Sequence, residues 1–328
     1  MQLNQETALE FLQQNNIKNC EIIKVAGDAS FRSYYRIISG DLNWILMFAP
    51  PSHEDILPFI KIARFLTGNG FSAPEIIAID EKNGFLLLED FADDTYGKVL
   101  KEIDHSKVKE LELDLYKRAC DCLIKIHEVK AMPDELPSYN NALLFREVML
   151  FIDWYLPLQK QNISLKEISE WKAAWFELFD QLDKENQVLV LRDYHADNLM
   201  ILPERLDYKR VGLLDFQDAV IGSKAYDVVS LLEDARRDLD EENRQKLFDY
   251  YIEKSNCDKN SFEKDYEILS LQRNVKIVGI FSRLSMRDGK DHYLDLLPRV
   301  IDFIKRRVEN SDNRNYFLKI SNLLEKFI

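Results

Sequence analysis

The chain has 328 residues, and its 44 Lys and Arg against 57 Asp and Glu leave a net charge of −13. That length suggests about two domains or lobes, the 46% hydrophobic content is ample for a large core, and 10 Gly with 9 Pro exclude collagen-like and low-complexity chains. A pI near 5.0 excludes a broad nucleic-acid-binding face, which needs clustered Lys and Arg, and any phosphate site must be built from local donors or a metal ion.

Residues 4–15 predict a short amphipathic helix. Residues 21–25 read as a strand, 26–30 as a turn, and 34–38 and 44–48 as two further strands around Ser39-Gly40-Asp41, which makes an antiparallel meander. A helix follows with Ser52 as N-cap and Asp55 three residues on, an apolar stripe from Ile56 to Leu66, and Gly68 or Gly70 as its stop. Residues 76–79 and 85–88 are strands flanking the turn at Glu81-Lys82-Asn83-Gly84. The first 88 residues therefore read β-β-β-α-β-β. Beyond Glu89-Asp90 the pattern is mostly helical, interrupted near residues 188–216 by two short apolar runs.

Four cysteines, Cys20, Cys120, Cys122 and Cys257, are too few for a disulfide framework, and no second pair completes a zinc set. They read as reduced thiols. The segment from Met1 to Glu6 lacks the basic and apolar regions of a signal peptide. No apolar run approaches the roughly 20 residues needed to span a bilayer. A cytoplasmic protein with no membrane, nucleic-acid or obligate protein partner is expected, and the sequon at Asn162-Ile163-Ser164 is read as chance.

The informative stretch is Arg192-Asp193-Tyr194-His195-Ala196-Asp197-Asn198, preceded by an apolar run, together with Asp215-Phe216-Gln217-Asp218 after a second apolar run. Phosphoryl transfer needs this set of groups, because its catalysis is mainly positioning and charge neutralisation. Asp193 fits the carboxylate that orients an attacking hydroxyl and accepts its proton. Asn198 and Asp215 fit the hard oxygen ligands that Mg²⁺ prefers.

The spacing from Asp193 to Asn198 matches the catalytic loop of protein kinases, and with His195 it resembles the aminoglycoside phosphotransferase family more closely. Further stretches look like the anomeric amino-sugar kinases of bacterial cell-wall recycling. These are Gly27-Asp28-Ala29-Ser30-Phe31-Arg32, Leu46-Met47 with Ala49-Pro50-Pro51, Leu86-Leu87-Leu88-Glu89-Asp90, Gln272-Arg273-Asn274 with Lys276, and Arg283-Leu284 with Arg287-Asp288-Gly289-Lys290. The similarity runs from about residue 20 to about residue 305. It implies an α+β, protein-kinase-like bilobal fold, with a nucleotide-binding lobe over residues 1–88, a hinge at 89–92 and a helical catalytic lobe over 93–328. The implied activity is ATP- and Mg²⁺-dependent phosphorylation of the C1 hydroxyl of N-acetylmuramate or N-acetylglucosamine.

The same resemblance places Gly27, Asp28, Ala29 and Ser30 over the nucleotide phosphates, and the backbone of Leu88, Glu89 and Asp90 against adenine. It makes Asp227 a buried support of the catalytic-loop backbone. His195 reads as a brace of that loop through its ring nitrogens, with a proton relay as the alternative. Asp55 is read as a helix cap, and His127 and the tryptophans as structural. Arg236, Arg273, Arg283 and Arg287 are candidates for the lactyl carboxylate of N-acetylmuramate. The departures are equally specific. Kinases place a Lys on the third strand to grip the phosphates, yet residues 44–48 contain none, which leaves Lys24 and Arg36 as substitutes. Gln217 stands where kinases have the Gly of Asp-Phe-Gly. The rival readings are a kinase of an aminoglycoside, choline or homoserine, to which an acidic chain is suited, and a nucleotide-binding protein without turnover.

Overall fold

A computed structural model of the chain describes residues 3–26, 31–309 and 317–328. In chain order the elements begin with α1 (Gln5–Gln14), β1 (Glu21–Ala26), β2 (Ser33–Ser39), β3 (Leu42–Phe48), α2 (Leu57–Gly68), β4 (Ile76–Asp80), β5 (Phe85–Glu89) and α3 (Tyr96–Glu102). There follow α4 (His105–Glu128), α5 (Asn141–Leu150), a π-helical turn at Phe151–Tyr155, the short α6 (Leu156–Leu158), α7 (Leu165–Phe179) and β6 (Gln187–Val190). The chain continues through β7 (Leu199–Ile201), β8 (Val211–Leu213), β9 (Val220–Ser223), α8 (Ala225–Leu232), α9 (Glu241–Ser255), α10 (Lys259–Asp288), α11 (Leu297–Glu309) and α12 (Leu318–Glu325). Two compact units result: Met1–Glu102 with Asp197–Ala219, and Ile103–Ala196 with Val220–Ile328. Among the described residues, no helix is long and apolar enough to cross a membrane.

The first unit is built on an antiparallel sheet of order β1-β2-β3-β5-β4. Alternation along the strands gives it two distinct faces. Ile37, Leu46, Phe48, Phe85 and Leu87 pack with Ala8, Phe11 and Leu12 of α1 into one core cluster. Burying each such side chain contributes about 1.5–3 kcal/mol. The alternate positions, Tyr34 and Arg36 on β2 and Ile45 and Met47 on β3, face the other way; Tyr34 pairs with Met47 and Arg36 with Ile45.

Ser52 does not cap α2, contrary to the expectation from sequence. Residues 50–54 form a turn in which the N–H groups of His53 and Glu54 donate to the Pro50 carbonyl, each at 2.9 Å. The Ser52 hydroxyl bonds His53 Nδ1 instead. The helix starts at Leu57 with Pro58 in its first turn, where a missing N–H costs nothing, and Asp55 accepts the Leu57 N–H at 2.9 Å. It buries Phe59, Ile60, Ile62, Ala63 and Leu66.

The chain returns to this unit over residues 197–219. There β7 and β8 pair with Leu199 opposite Leu213. The Leu213 N–H donates to the Ser72 carbonyl at 2.8 Å, and the Ser72 hydroxyl donates to Lys209 at 2.6 Å, which ties the excursion to the segment before β4.

The second unit is helical around α10, whose 30 residues pack against α5, α8 and α11. Asp258 caps its start, and Gly289 at φ +67° ends it. Phe151, Trp171, Trp175 and Phe179 are buried and form a run of ring contacts 5.4–5.7 Å apart, so this tryptophan pair is core. His127 is likewise structural: its Nδ1 bonds the buried Tyr251 hydroxyl at 2.6 Å, and burial pushes its pKa down to about 3. The strands β6 and β9 pair as a two-stranded ribbon.

Candidate functional site

The segment after β6 is held by one carboxylate. Asp227, fully buried on α8, accepts the Leu191 N–H at 2.6 Å and the Arg192 N–H at 2.8 Å. Burial pushes its pKa up to about 7 in spite of those two bonds. Arg192 takes a left-handed φ of +72°, a conformation non-glycine residues keep only when their surroundings enforce it. The turn is closed by the Asp193 N–H donating to Leu191 at 2.9 Å and the His195 N–H donating to Asp193 at 3.1 Å. The buried Tyr194 anchors it from below by donating to the Ala119 carbonyl.

Burial alone would raise the half-buried Asp193 carboxyl, but the charges of Lys276, His195, Arg192 and Arg273 hold it below the ordinary Asp value. Asp193 is therefore a carboxylate at neutral pH. Two of these cations, Lys276 and Arg192, belong to a network centred on Glu147 of α5. Lys276 Nζ lies 3.1 Å from Glu147 Oε1 and 3.0 Å from the Tyr226 hydroxyl, while Arg192 and Tyr139 also bond Glu147. Gln272 Nε2 adds a fourth donor at 3.0 Å. Burial opposes the charge on Glu147, but Lys276 and Arg192 keep its carboxyl below the usual value. His195 Nε2 accepts from Arg236 at 3.3 Å; burial, with the Arg236 charge, holds the imidazole neutral at pH 7.

Asn198 and Asp215 lie in the first unit, and the β7–β8 pairing brings them to the same end of that ribbon. The Leu214 N–H donates to the Asn198 carbonyl at 3.0 Å. Asp215 has a left-handed φ of +56° and is exposed, and its Oδ1 accepts from Gln217 Nε2 at 2.9 Å. Gln217 thus clamps the carboxylate that precedes it. Phe216 is buried and packs against Phe59 of α2 at 5.0 Å, which anchors the loop. An amide oxygen and a carboxylate are hard donors of the kind Mg²⁺ takes, so these two residues would suit that ion. Among the described residues, no group of three or more His, Cys, Asp or Glu is placed for a metal. Asp197 lies against α3, where a Cβ on Gly97 would come within 2.0 Å of its Oδ1.

Gly27, Asp28, Ala29 and Ser30 lie outside the described residues. Leu88 is buried on β5, paired with Ile45 and Ile76. The Glu89 carboxylate takes Arg205 at 2.5 Å, and its N–H donates to Glu75 at 2.9 Å. Asp90 is held by both nitrogens of the Arg36 fork, Nε at 2.6 Å and Nη2 at 3.0 Å, and Arg36 also reaches Asp93 and the Ala92 carbonyl. Arg36 is therefore a clamp on the segment after β5, not a substitute for the third-strand lysine. Lys24 is no substitute either: it pairs with Tyr35, on the face that packs against α1. Of the four candidate arginines, Arg273 is buried on Ser230 and the Glu233 carbonyl, and Arg287 pairs with its neighbour Asp288. Arg283 is half-buried on α10, and Arg236 reaches His195 in the loop after β6. The Glu147 network was not foreseen, because its members are scattered from residue 139 to residue 276 with no local motif.

The family model described as "Phosphotransferase enzyme family" matches residues 21–260. An N-acetylmuramate/N-acetylglucosamine kinase of Pseudomonas aeruginosa is 36% identical over 299 residues, which cover 88% of this chain and 84% of the relative. A Caulobacter vibrioides protein of the same name is 32% identical over 326 residues, covering 88% of each chain. The solved streptomycin–ATP ternary complex of the phosphotransferase APH(2″)-IIa shares the fold, with a TM-score of 0.58 at 14% identity over 89% of this chain and 96% of that one.

Proposed function

The chain belongs to the phosphotransferase enzyme family, and from that premise we propose that it transfers the terminal phosphoryl group of ATP to the C1 hydroxyl of N-acetylmuramate or N-acetylglucosamine. The carrying observation is the 36% identity, over 88% of the chain, to a kinase of that name. The state of Asp193 supports the chemistry: its carboxylate is ionised at neutral pH and carried on a rigid loop.

Asp193 accepts a hydrogen bond from the C1 hydroxyl, orients it toward the γ-phosphorus and takes its proton as the new O–P bond forms. The bond from the γ-phosphorus to the β–γ bridging oxygen breaks, and ADP leaves with that oxygen. The anomeric hydroxyl is more acidic than an ordinary alcohol, so a carboxylate suffices as the base. Asn198 and Asp215 would hold Mg²⁺, which supplies charge neutralisation on the phosphates when bound. Leu88, Glu89 and Asp90 would meet adenine through their backbone, with Gly27, Asp28, Ala29 and Ser30 over the phosphates. Neutral His195 braces the loop and orients Arg236, which we assign to the lactyl carboxylate of N-acetylmuramate. A cytoplasmic role in recycling cell-wall sugars fits this substrate.

The test is NMR identification of the phosphorylated carbon after incubation with Mg·ATP and each sugar. Phosphorus coupled to C1 is expected. A product that keeps a free reducing end refutes the C1 assignment, and turnover of only an aminoglycoside, choline or homoserine refutes the substrate class. Asp193→Asn should retain Mg·ATP binding and lose about 10²–10⁴ in kcat.

A further inference from the structure

The third strand offers no cation to the nucleotide. Its residues on the face away from α1 are Asn43, Ile45 and Met47, and Met47 is fully buried opposite Tyr34. Within residues 20–50 the basic residues are Lys24, Arg32 and Arg36. Arg36 is engaged with Asp90 and Asp93, and Lys24 lies on the α1 face. Arg32 stands at the head of β2, two residues before Tyr34. Its Nε lies 4.0 Å from Glu54 Oε2 in the segment leading into α2, with side-chain exposures of 12% and 22%. A second contact fixes the same junction: the Phe31 ring packs on His53 at 4.8 Å. The Tyr34 hydroxyl, pushed up to about 12 by burial, feels the charges of Arg32, Asp215 and Glu54 together. Arg32 and Glu54 thus form a pair at the head of β2 that lies within electrostatic reach of Asp215.

We propose that Arg32, positioned by Glu54, is the cation that grips the phosphates of the nucleotide, so that the lysine of the third strand has been replaced from the head of the second. This rests on the nucleotide use proposed above. The chemistry suits the exchange of residue. A guanidinium offers a planar fork that takes two phosphate oxygens at once, whereas an ammonium is a point charge. The Glu54 carboxylate, 4.0 Å from Nε, and the Tyr34 hydroxyl, which also shares a hydrogen bond with Arg32, hold the guanidinium at the head of β2. In a chain of net charge −13 such a local donor is what an anionic nucleotide requires.

The test is calorimetric titration of the full chain with Mg·ATP and, separately, with adenosine, which shares the base but carries no phosphate. Arg32→Gln should weaken Mg·ATP binding about 10- to 100-fold, the scale of a charge-assisted hydrogen bond, and leave adenosine binding unchanged. Arg32→Lys keeps the charge without the fork and should fall between wild type and Arg32→Gln. Glu54→Gln should raise KM for ATP more than it lowers kcat, with the melting temperature little changed. Wild-type affinity for Mg·ATP in both Arg32 variants overturns the inference while leaving the kinase reading intact. Absence of Mg·ATP binding in the wild type overturns both. If the wild type binds Mg·ATP and the Arg32 variants lose it, failure to phosphorylate any amino sugar removes the substrate assignment alone.

Discussion

Replacing Gly279 with alanine tests how tightly the frame beneath Asp193 is built. Gly279 lies on α10 where that helix crosses the end of α5. A Cβ there would sit 2.3 Å from the Leu150 carbonyl carbon and 2.6 Å from both its oxygen and its Cβ. Two of these three atoms are backbone, so no side-chain rotation relieves the clash. Ordinary contact begins at 3.4 Å, and the two helices must therefore separate by about 1 Å. Overpacking of this kind costs about 3 kcal/mol, the upper part of the usual range. At about 2–4 °C per kcal/mol, the melting temperature should drop by about 6–12 °C. The same separation stretches the Lys276–Glu147 pair, now 3.1 Å, beyond ion-pair distance, so kcat should fall as well. Differential scanning calorimetry and a coupled ADP-release assay measure the two effects. Gly68→Ala is the control, because nothing lies within 4 Å of its new Cβ, and in a helix alanine should stabilise by about 0.5–1 kcal/mol. An unchanged melting temperature for Gly279→Ala would refute the crossing as described.

Three other outcomes follow from the network around the loop. Lys276→Met removes one of the cations that lower the Asp193 pKa, so the acid limb of the kcat/KM profile should move to higher pH; superimposable profiles would remove Lys276 from this role. Asp227→Asn turns an amide NH₂ toward one of two backbone N–H donors, which should cost about 1–3 kcal/mol in a urea titration. With its pKa raised to about 7, Asp227 contributes most below its ordinary value of 3.8 and loses that contribution as pH rises toward 7. The gap between wild type and Asp227→Asn should therefore narrow across that window, and a gap that widens would reverse the assignment.

The five strands of the sheet were legible because each is a short apolar run, β-branched or aromatic, between turn signals, and the proposed site residues Asp193, Asn198 and Asp215 stand out in the sequence because their spacing is local. What stayed hidden depends on register or on distance along the chain. The strands β7 and β9, of three and four residues, are too short for periodicity to register. The start of α2 was misplaced because Ser52 and Asp55 imitate a capping box, whereas the Pro50 turn delays the helix to Leu57. Lys24 and Arg36 looked interchangeable until the pairing of β1 with β2 put them on opposite faces of the sheet. Glu147 and Lys276 meet only through the crossing of α5 and α10, which no short window contains.

The excursion of residues 197–219 into the first unit bears on synthesis. By Glu102 the sheet, α2 and α3 have all been made, but Phe59 still lacks Phe216, and the Ser72 carbonyl lacks the Leu213 N–H. More than a hundred further residues must leave the ribosome before those partners arrive, a wait of roughly 5–25 s at translation rates of about 5–20 residues per second. During that interval the nascent unit presents an apolar helix face and an unpaired strand neighbour, both targets for a chaperone. A fragment ending near residue 102 would be caught permanently in that state, so the first unit cannot be obtained by truncation. Appending residues 197–219 through a short linker should complete it.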